Sequence, residues 1–486
     1  MTRVMVIGNG MVGSRFAQDA VAALPEATVT VLGKEDYAAY NRVLLSSVVS
    51  GASNPANLTI AGPPHDRIHT LTGTSAVHID REARAVTDSH GTVHEYDYLV
   101  FATGSVARIP AIQGVADAQG LIEGVTVLKD MADAQAIVRK ALTARRAVVL
   151  GAGVLGLEVA TGLVARGVAV RLVHHADRLM ERQLGWEASA VASTSLAKLG
   201  IEVHMGRSLA GAHATRGKLS AVRLEDGSEV LADMLVMCCG TIPETVLARQ
   251  AGLAIDRGIV VGEDLASVTD PAVFAIGDCA QPPSGGTGLV AQGWEQSTRL
   301  AAQWAGARTH ASAPPRSTDV VRVKAPGLAM ATMGMSGDFD RADPRLRVLS
   351  LKDPEGGRFI EVVVAGGLLV GATCIGDKSI AADLATLYTR KIPVPSDPAQ
   401  LLIHALAGQA SSAKDPAELA DEDIVCNCNS VSKGTICGAI AAGCATVADV
   451  ATATRATTGC GDCAGIVSKL LTTPLAPAAA TATNER

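Results

Sequence analysis

The chain has 486 residues and a net charge of −6, with 48% hydrophobic and 19% charged residues. At roughly 100–200 residues per domain this length predicts about three domains, and the composition excludes general disorder. The acidic balance offers no basic field to nucleic acid, and 3% aromatics leave few platforms for stacking bases.

No apolar run approaches the length of about 18 residues that spans a bilayer. The longest candidate, Val362 to Ala372, carries Gly366-Gly367, which reads as a turn between two strands. The first residues run a short apolar stretch straight into a glycine loop, without the layout of an export signal. The expectation is a cytoplasmic protein whose 10 cysteines are metal ligands or buried thiols rather than disulfides.

In chain order, residues 3–7 predict a buried strand. The loop Gly8-Asn9-Gly10-Met11-Val12-Gly13 follows, then a helical pattern through Leu24 and a strand over Thr28–Leu32. The same order returns at Ala147–Leu150, with the loop Gly151-Ala152-Gly153-Val154-Leu155-Gly156, a helix to Ala165 and a strand over Ala169–Val173. Loops this far apart mark a duplicated unit, not a solenoid repeat. In such a loop the first glycine turns tightly and the second admits a pyrophosphate. The third packs helix on strand, and the helix N-terminus faces the phosphates. One such loop is weak evidence; two in strand–loop–helix context predict two dinucleotide sites.

Glu35 follows the second strand at about the 20-residue spacing expected of a ribose-binding acid, with Asp36 as the competing candidate. The second unit has His174 in that place. Asp177 lies slightly beyond, and His174, His175 and Arg178 offer positive charge to a 2′-phosphate, so NADH and NADPH both stay open.

Ala307–Thr318 and Gly408–Asp423 read as linkers. Between them, 319–406 predicts a small α+β domain. A cysteine-bearing module spans 424–471, and the Ala/Thr/Pro-rich tail 472–486 is expected to be disordered. In the module, Cys426-x-Cys428 and Cys460-x-x-Cys463 are two close pairs able to converge on one four-thiolate site, for zinc or for an Fe–S cluster. Cys437 and Cys444 read as small buried hydrophobes, as do Cys238, Cys239, Cys279 and Cys374. No cysteine precedes Cys238, so the first unit holds no redox-active thiol pair.

Further segments join the two loops: Phe101-Ala102-Thr103-Gly104-Ser105, Cys239-Gly240-Thr241-Ile242-Pro243, Phe274-Ala275-Ile276-Gly277-Asp278 and Gly288 to Gln296. Together they resemble the FAD-dependent pyridine-nucleotide oxidoreductases, which include rubredoxin and ferredoxin reductases. Tyr40 to Ser46 and Arg178 to Leu184 look like the flavin portion of assimilatory nitrite reductase large subunits and the electron-transfer subunits of assimilatory nitrate reductases. The module, with Asn427, Gly459 and Gly461 around its cysteines, resembles the bacterioferritin-associated ferredoxin-like [2Fe-2S] domain.

The resemblance implies an α/β fold with two Rossmann-like domains, the small α+β domain and a helical [2Fe-2S] module. FAD belongs to 1–112 with 245–308, and NAD(P)H to 113–244. It implies that Gly8, Gly10 and Gly13 hold the FAD pyrophosphate and Glu35 the adenosine ribose. Arg42 lies near flavin and phosphates, and Val77 meets adenine through its backbone. Thr103 and Gly104 form the loop beside the cofactor, and Lys129 stands where relatives often have Arg against FAD. Asp278 bonds the ribityl or pyrophosphate region and Val290 sits at the flavin edge. Gly151, Gly153, Gly156, His174 and the catalytic Glu158 serve the nicotinamide cofactor, with Gly240 and Ile242 lining its approach. Cys426, Cys428, Cys460 and Cys463 hold the cluster. Many relatives carry Lys where this chain has Ser47, so an ion pair from there to Glu158 is not available.

The implied function carries electrons from NADH (NADPH remaining possible) through FAD and the cluster to a separate terminal reductase, a molybdenum nitrate reductase catalytic subunit. Alternatives are a reductase of a ferredoxin- or rubredoxin-type carrier or of a nitrite reductase partner, an enzyme akin to flavin amine or opine oxidases, and a redox-sensing or iron-handling module. The siroheme portion of a nitrite reductase is missing, so the chain is not expected to reduce nitrite itself.

Overall fold

Val4–Ile7 and Ala147–Leu150 are buried on both faces, the pattern of central strands in a covered parallel sheet. The computed structural model describes residues 2–60, 62, 64–306, 319–402, 416, 419–426, 429, 431–459, 461 and 463–472. The predicted linker 307–318, most of the predicted linker 408–423 and the tail beyond Thr472 lie outside these residues, as do Asn427, Cys428 and Cys460.

Each of the two buried runs centres a five-stranded parallel sheet. The first has the order Val273–Ala275, Tyr98–Phe101, Thr2–Ile7, Ala27–Leu32, Ile68–Leu71. The second has the order Val125–Val127, Met234–Met237, Arg146–Leu150, Ala169–Val173, Glu202–His204. The duplication extends past the glycine loops. In both units a three-stranded antiparallel meander, 76–95 or 209–231, precedes the strand that returns beside the first. The last strand of the first sheet, Val273–Ala275, comes after the whole second unit, so the first domain is discontinuous. The antiparallel pair Ser105–Ala107 with Thr241–Pro243 ties the outgoing and returning chain together.

A third, antiparallel sheet has the order Val321–Ala325, Leu328–Gly334, Leu368–Ile375, Arg358–Ala365, Arg347–Asp353. Gly366-Gly367 forms its turn, both residues at positive φ, as the sequence predicts. One face packs under the helix Lys378–Arg390 through Ala381, Leu384 and Ala385. The other face enters the core of the second unit, where Val323, Met330 and Phe359 join Val191 and Leu196. Covered on both sides, the strand Arg358–Ala365 is buried almost continuously instead of alternately.

The C-terminal module is a short hairpin, Ile424–Cys426 with Val431–Ser432, and three helices, Lys433–Ala441, Val447–Thr454 and Ala464–Thr472. Ser432 and Thr446 cap the first two helices through their hydroxyls. Its core is small: Val425, Val431, Ile436, Val450, Val467 and Leu470 pack around Cys426 and Cys463. Among the described residues no helix is long and apolar enough to cross a membrane.

Candidate functional site: two dinucleotide cradles and a thiolate module

The two glycine loops are built alike. Gly8 and Gly151 stand at φ +117° and +106°, and a Cβ on either would collide with the carbonyl of Ala102 or Cys238 at the end of the returning strand. A Cβ on Gly13 or Gly156 would strike the carbonyl of the first glycine. The middle glycines face open space: nothing lies within 4 Å of a Cβ on Gly153, and only the Arg42 guanidinium, at 3.8 Å, approaches one on Gly10. Gly10 and Gly153 are also the N-caps of the helices Met11–Ala23 and Val154–Ala165, with no side chain capping either. Uncapped amides at two helix starts, each over an open glycine, fit two pyrophosphates.

Around the first loop, Glu35 accepts hydrogen bonds from the Tyr40 hydroxyl (2.6 Å) and from Arg42, which also lies over the Tyr40 ring. Burial, together with Glu35, pushes the Tyr40 hydroxyl pKa up despite Arg42, so it remains a donor. Val77 sits in a bulge between Ala76 and His78 and has no register partner. It is 50% exposed, a placement that leaves its backbone free to meet a flat ring. Thr103 and Gly104 are fixed by Glu244, whose carbonyl accepts from the Thr103 hydroxyl and whose N–H donates to the Gly104 carbonyl (both 2.9 Å).

Asp278, Ser105 and Lys129 form a relay. The Ser105 hydroxyl donates to Asp278 Oδ2 at 2.8 Å, and Lys129 Nζ donates to Ser105 Oγ at 2.7 Å. Burial lowers the Lys129 pKa, with Asp278 opposing. Val290 starts the helix Val290–Trp304, whose N-terminus has no side-chain cap. Removing the Asp278 carboxylate leaves Lys129 half-buried without its counter-charge. Asp278→Ala is therefore expected to weaken flavin retention at least about tenfold, the scale of a lost charged hydrogen bond. Flavin in the filtrate after repeated ultrafiltration measures this; equal retention by the variant and the parent would contradict it.

In the second unit, His174 is buried. Its Nδ1 accepts the Ala152 N–H (3.2 Å) and its Nε2 pairs with Glu181 (3.0 Å). Arg178 is committed to the Glu181 and Leu184 carbonyls and to Asp338, and lies over Trp186. Nothing lies within 4 Å of a Cβ on Gly240, and Ile242, 48% exposed, pairs with the exposed Val106. Glu158 is 3% exposed and engaged at a junction of three domains. It accepts from the Ser46 hydroxyl (2.5 Å) and the Lys324 N–H (2.7 Å), with Lys324 Nζ at 3.9 Å. The cation that Ser47 does not provide thus comes from the third domain, which sequence reading missed because Lys324 is 166 positions away. Burial holds Cys239 up at about 11 and Cys374 at about 12, and raises Cys238 and Cys279, so these thiols stay protonated.

In the module, Cys426 and Cys463 are 2% and 6% exposed and share one core. Hydrogen bonding with Cys463, against the cost of burial and helped by Asn429 and Thr457, pulls the Cys426 thiol below its ordinary value. A thiolate at neutral pH is what a metal site needs. Cys428 and Cys460 lie outside the described residues. Cys437 and Cys444 are half-buried against this core.

The module rests on the first domain. Asn41, 2% exposed, donates its amide to the carbonyls of Thr458 (2.8 Å) and Gly459 (2.6 Å), next in sequence to Cys460. Arg15 donates to Asn429 Oδ1 (2.9 Å), and Asn429 Nδ2 lies 3.9 Å from Cys426 Sγ. Arg455 pairs with Asp19 at 2.8 Å. Asn41 precedes Arg42, so adjacent residues serve the cysteine loop and the dinucleotide cradle.

Residues 2–309 match the family described as pyridine nucleotide-disulphide oxidoreductase, and residues 424–473 match the BFD-like [2Fe-2S] binding domain. The nitrite reductase [NAD(P)H] large subunit of Klebsiella oxytoca is 32% identical over 97% of this chain and 49% of its own length. The assimilatory nitrate reductase electron transfer subunit of Bacillus subtilis is 29% identical over 96% of this chain and 59% of its own. The crystal structure of a ferredoxin reductase from Rhodopseudomonas palustris has a TM-score of 0.69 at 25% identity, covering 79% of this chain and 93% of that one. The chain spans about half the length of the curated nitrite reductases it matches. The cofactors of these domains are FAD and NAD(P)H for the two cradles and a [2Fe-2S] cluster for the module. Duplicated dinucleotide units and a family match over most of their length lead to one assignment: the chain belongs to the pyridine nucleotide-disulphide oxidoreductase family and is an NAD(P)H-dependent oxidoreductase.

Proposed function

We propose that the chain is the electron-transfer component of an assimilatory nitrate reductase in the cytoplasm, oxidising NADH and serving a separate molybdenum catalytic subunit. The observation that carries this reading is the seat of the cysteine loop on the first domain through Asn41. The first cradle, around Gly8, Gly10 and Gly13, would hold FAD, which would supply two-electron hydride acceptance, and the module's cysteines would hold a [2Fe-2S] cluster, which would supply single-electron transfer. The chain's own residues do the positioning. The uncapped helix starts at Gly10 and Gly153 bind phosphates. The Lys129–Ser105–Asp278 relay fixes polarity beside the first cradle. The exposed pair Val106 and Ile242 offers apolar surface where the two units meet. The first domain's own thiol, Cys279, is fully buried and kept protonated by that burial, so it does not compete.

With NADH, the purified chain is expected to reduce viologen dyes but neither nitrate nor nitrite. Nitrate consumption is expected on adding the nitrate reductase catalytic subunit. Nitrite loss with the chain alone overturns the reading. So does efficient ferredoxin reduction with no coupling to the catalytic subunit, which is the outcome expected of a carrier reductase.

A further inference from the structure

The two dinucleotide units differ where their second strands end. In the first, Glu35 follows the strand Ala27–Leu32. In the second, His174 follows Ala169–Val173, and its buried ring links the glycine loop to a carboxylate from further along the chain. Nδ1 accepts the N–H of Ala152, between the first two glycines, so Nε2 carries the proton that reaches Glu181 Oε2 at 3.0 Å. The backbone makes the same link. Met180 takes the left-handed conformation (φ 46°), and its N–H donates to the Ala152 carbonyl at 3.0 Å. The N–H groups of Gln183 and Leu184 close back on the Met180 carbonyl. The segment 180–184 is thereby folded onto the glycine loop, with Glu181 beside it.

Two of the cations near that carboxylate are spent, while Arg182, next in the chain, is exposed. Arg178 is held by two carbonyls and Asp338, and Arg207 is paired with Asp226. His175 is exposed and packs edge-on against His174, with Asp177 exposed nearby. The Glu181 side chain keeps 33% of its surface. Burial opposes its charge, yet the His174 hydrogen bond prevails and its pKa falls below the ordinary value.

We propose that Glu181, oriented by His174, accepts the adenosine ribose hydroxyls of NADH and repels the 2′-phosphate of NADPH. This rests on the reading that the second cradle holds the nicotinamide dinucleotide. A carboxylate forms strong charge-assisted bonds with a ribose diol, whereas a phosphate dianion in the same place meets like charge. The acid expected at position 174 is thus supplied from position 181.

The test is calorimetric titration of the full-length, FAD-loaded chain with NAD⁺ and NADP⁺, for the parent, Glu181→Gln and Glu181→Lys. The parent is expected to favour NAD⁺ by about a hundredfold or more, from a gained hydrogen bond and an avoided repulsion. Glu181→Gln should bind NAD⁺ about tenfold more weakly and NADP⁺ more tightly. Glu181→Lys should raise NADP⁺ affinity further, a gain that mere loss of structure does not produce. An NAD⁺/NADP⁺ affinity ratio unchanged in both variants overturns the proposal while leaving the cradle assignment intact. Failure of the parent to bind either dinucleotide overturns the cradle assignment and this proposal with it.

Discussion

Cys463→Ser is expected to abolish the reduced-state EPR signal of the cluster while NADH still bleaches the flavin at nearly the parental rate. Cys463 is buried in a core of few side chains and bonds with Cys426, whose thiol it helps to ionise. A module of roughly 50 residues cannot bury enough apolar surface to be robust alone, so its metal site contributes folding free energy. Loss of one ligand therefore removes both the cluster and much of the module's stability. The hydride side is spared because the first and second units have their own cores. The same outcome is expected for Cys426→Ser. Stoichiometric zinc without acid-labile sulfide in anaerobically prepared parent protein would sink the cluster assignment.

Ending the chain after Gly408 is expected to keep NADH-dependent flavin bleaching and to lose electron delivery to a nitrate reductase partner. The truncation uncovers Asn41, Arg15 and Asp19, which the module now satisfies. These are polar groups at a surface, and water can replace their partners at modest cost. The cradles, the Lys129–Ser105–Asp278 relay and the Glu158 junction lie wholly before the cut. Stopped-flow absorbance follows the flavin, and nitrate consumption with added catalytic subunit follows delivery. Full-rate delivery by the truncated chain would mean that electrons bypass the module.

Features fixed by local stereochemistry were legible in the sequence. Gly8, Gly13, Gly151 and Gly156 are dictated by backbone collisions within one turn and one neighbouring strand. The strands 3–7 and 147–150 follow from their unbroken apolar runs. The CxC and CxxC pairs mark a candidate four-thiolate site by spacing, which by itself leaves zinc and an Fe–S cluster both open. Features that join distant segments were not legible. No pattern links Asn41 to Thr458, 417 positions apart, or Lys324 to Glu158. Glu181, in the role we propose for it, was missed for another reason. A fixed spacing rule looks at the residue after the strand, whereas the turn at Met180 brings a later carboxylate within hydrogen-bond reach of His174.

The way the module is seated has a kinetic consequence. Asn41 with the cysteine loop, Arg15 with Asn429, Asp19 with Arg455 and, from the third domain, Arg390 with Ile424 and Asp423 are all polar contacts, and exposed polar bonds of this kind give modest intrinsic affinity. Both halves belong to one chain, which places them at roughly millimolar effective concentration. Occupancy near one half then requires a dissociation constant of only about that size. The Arg455–Asp19 pair makes that occupancy sensitive to ionic strength, since charges are screened over about 8 Å in physiological salt. Added salt is therefore expected to lower the share of time the module spends seated, read as slower electron transfer from flavin to the module at high ionic strength.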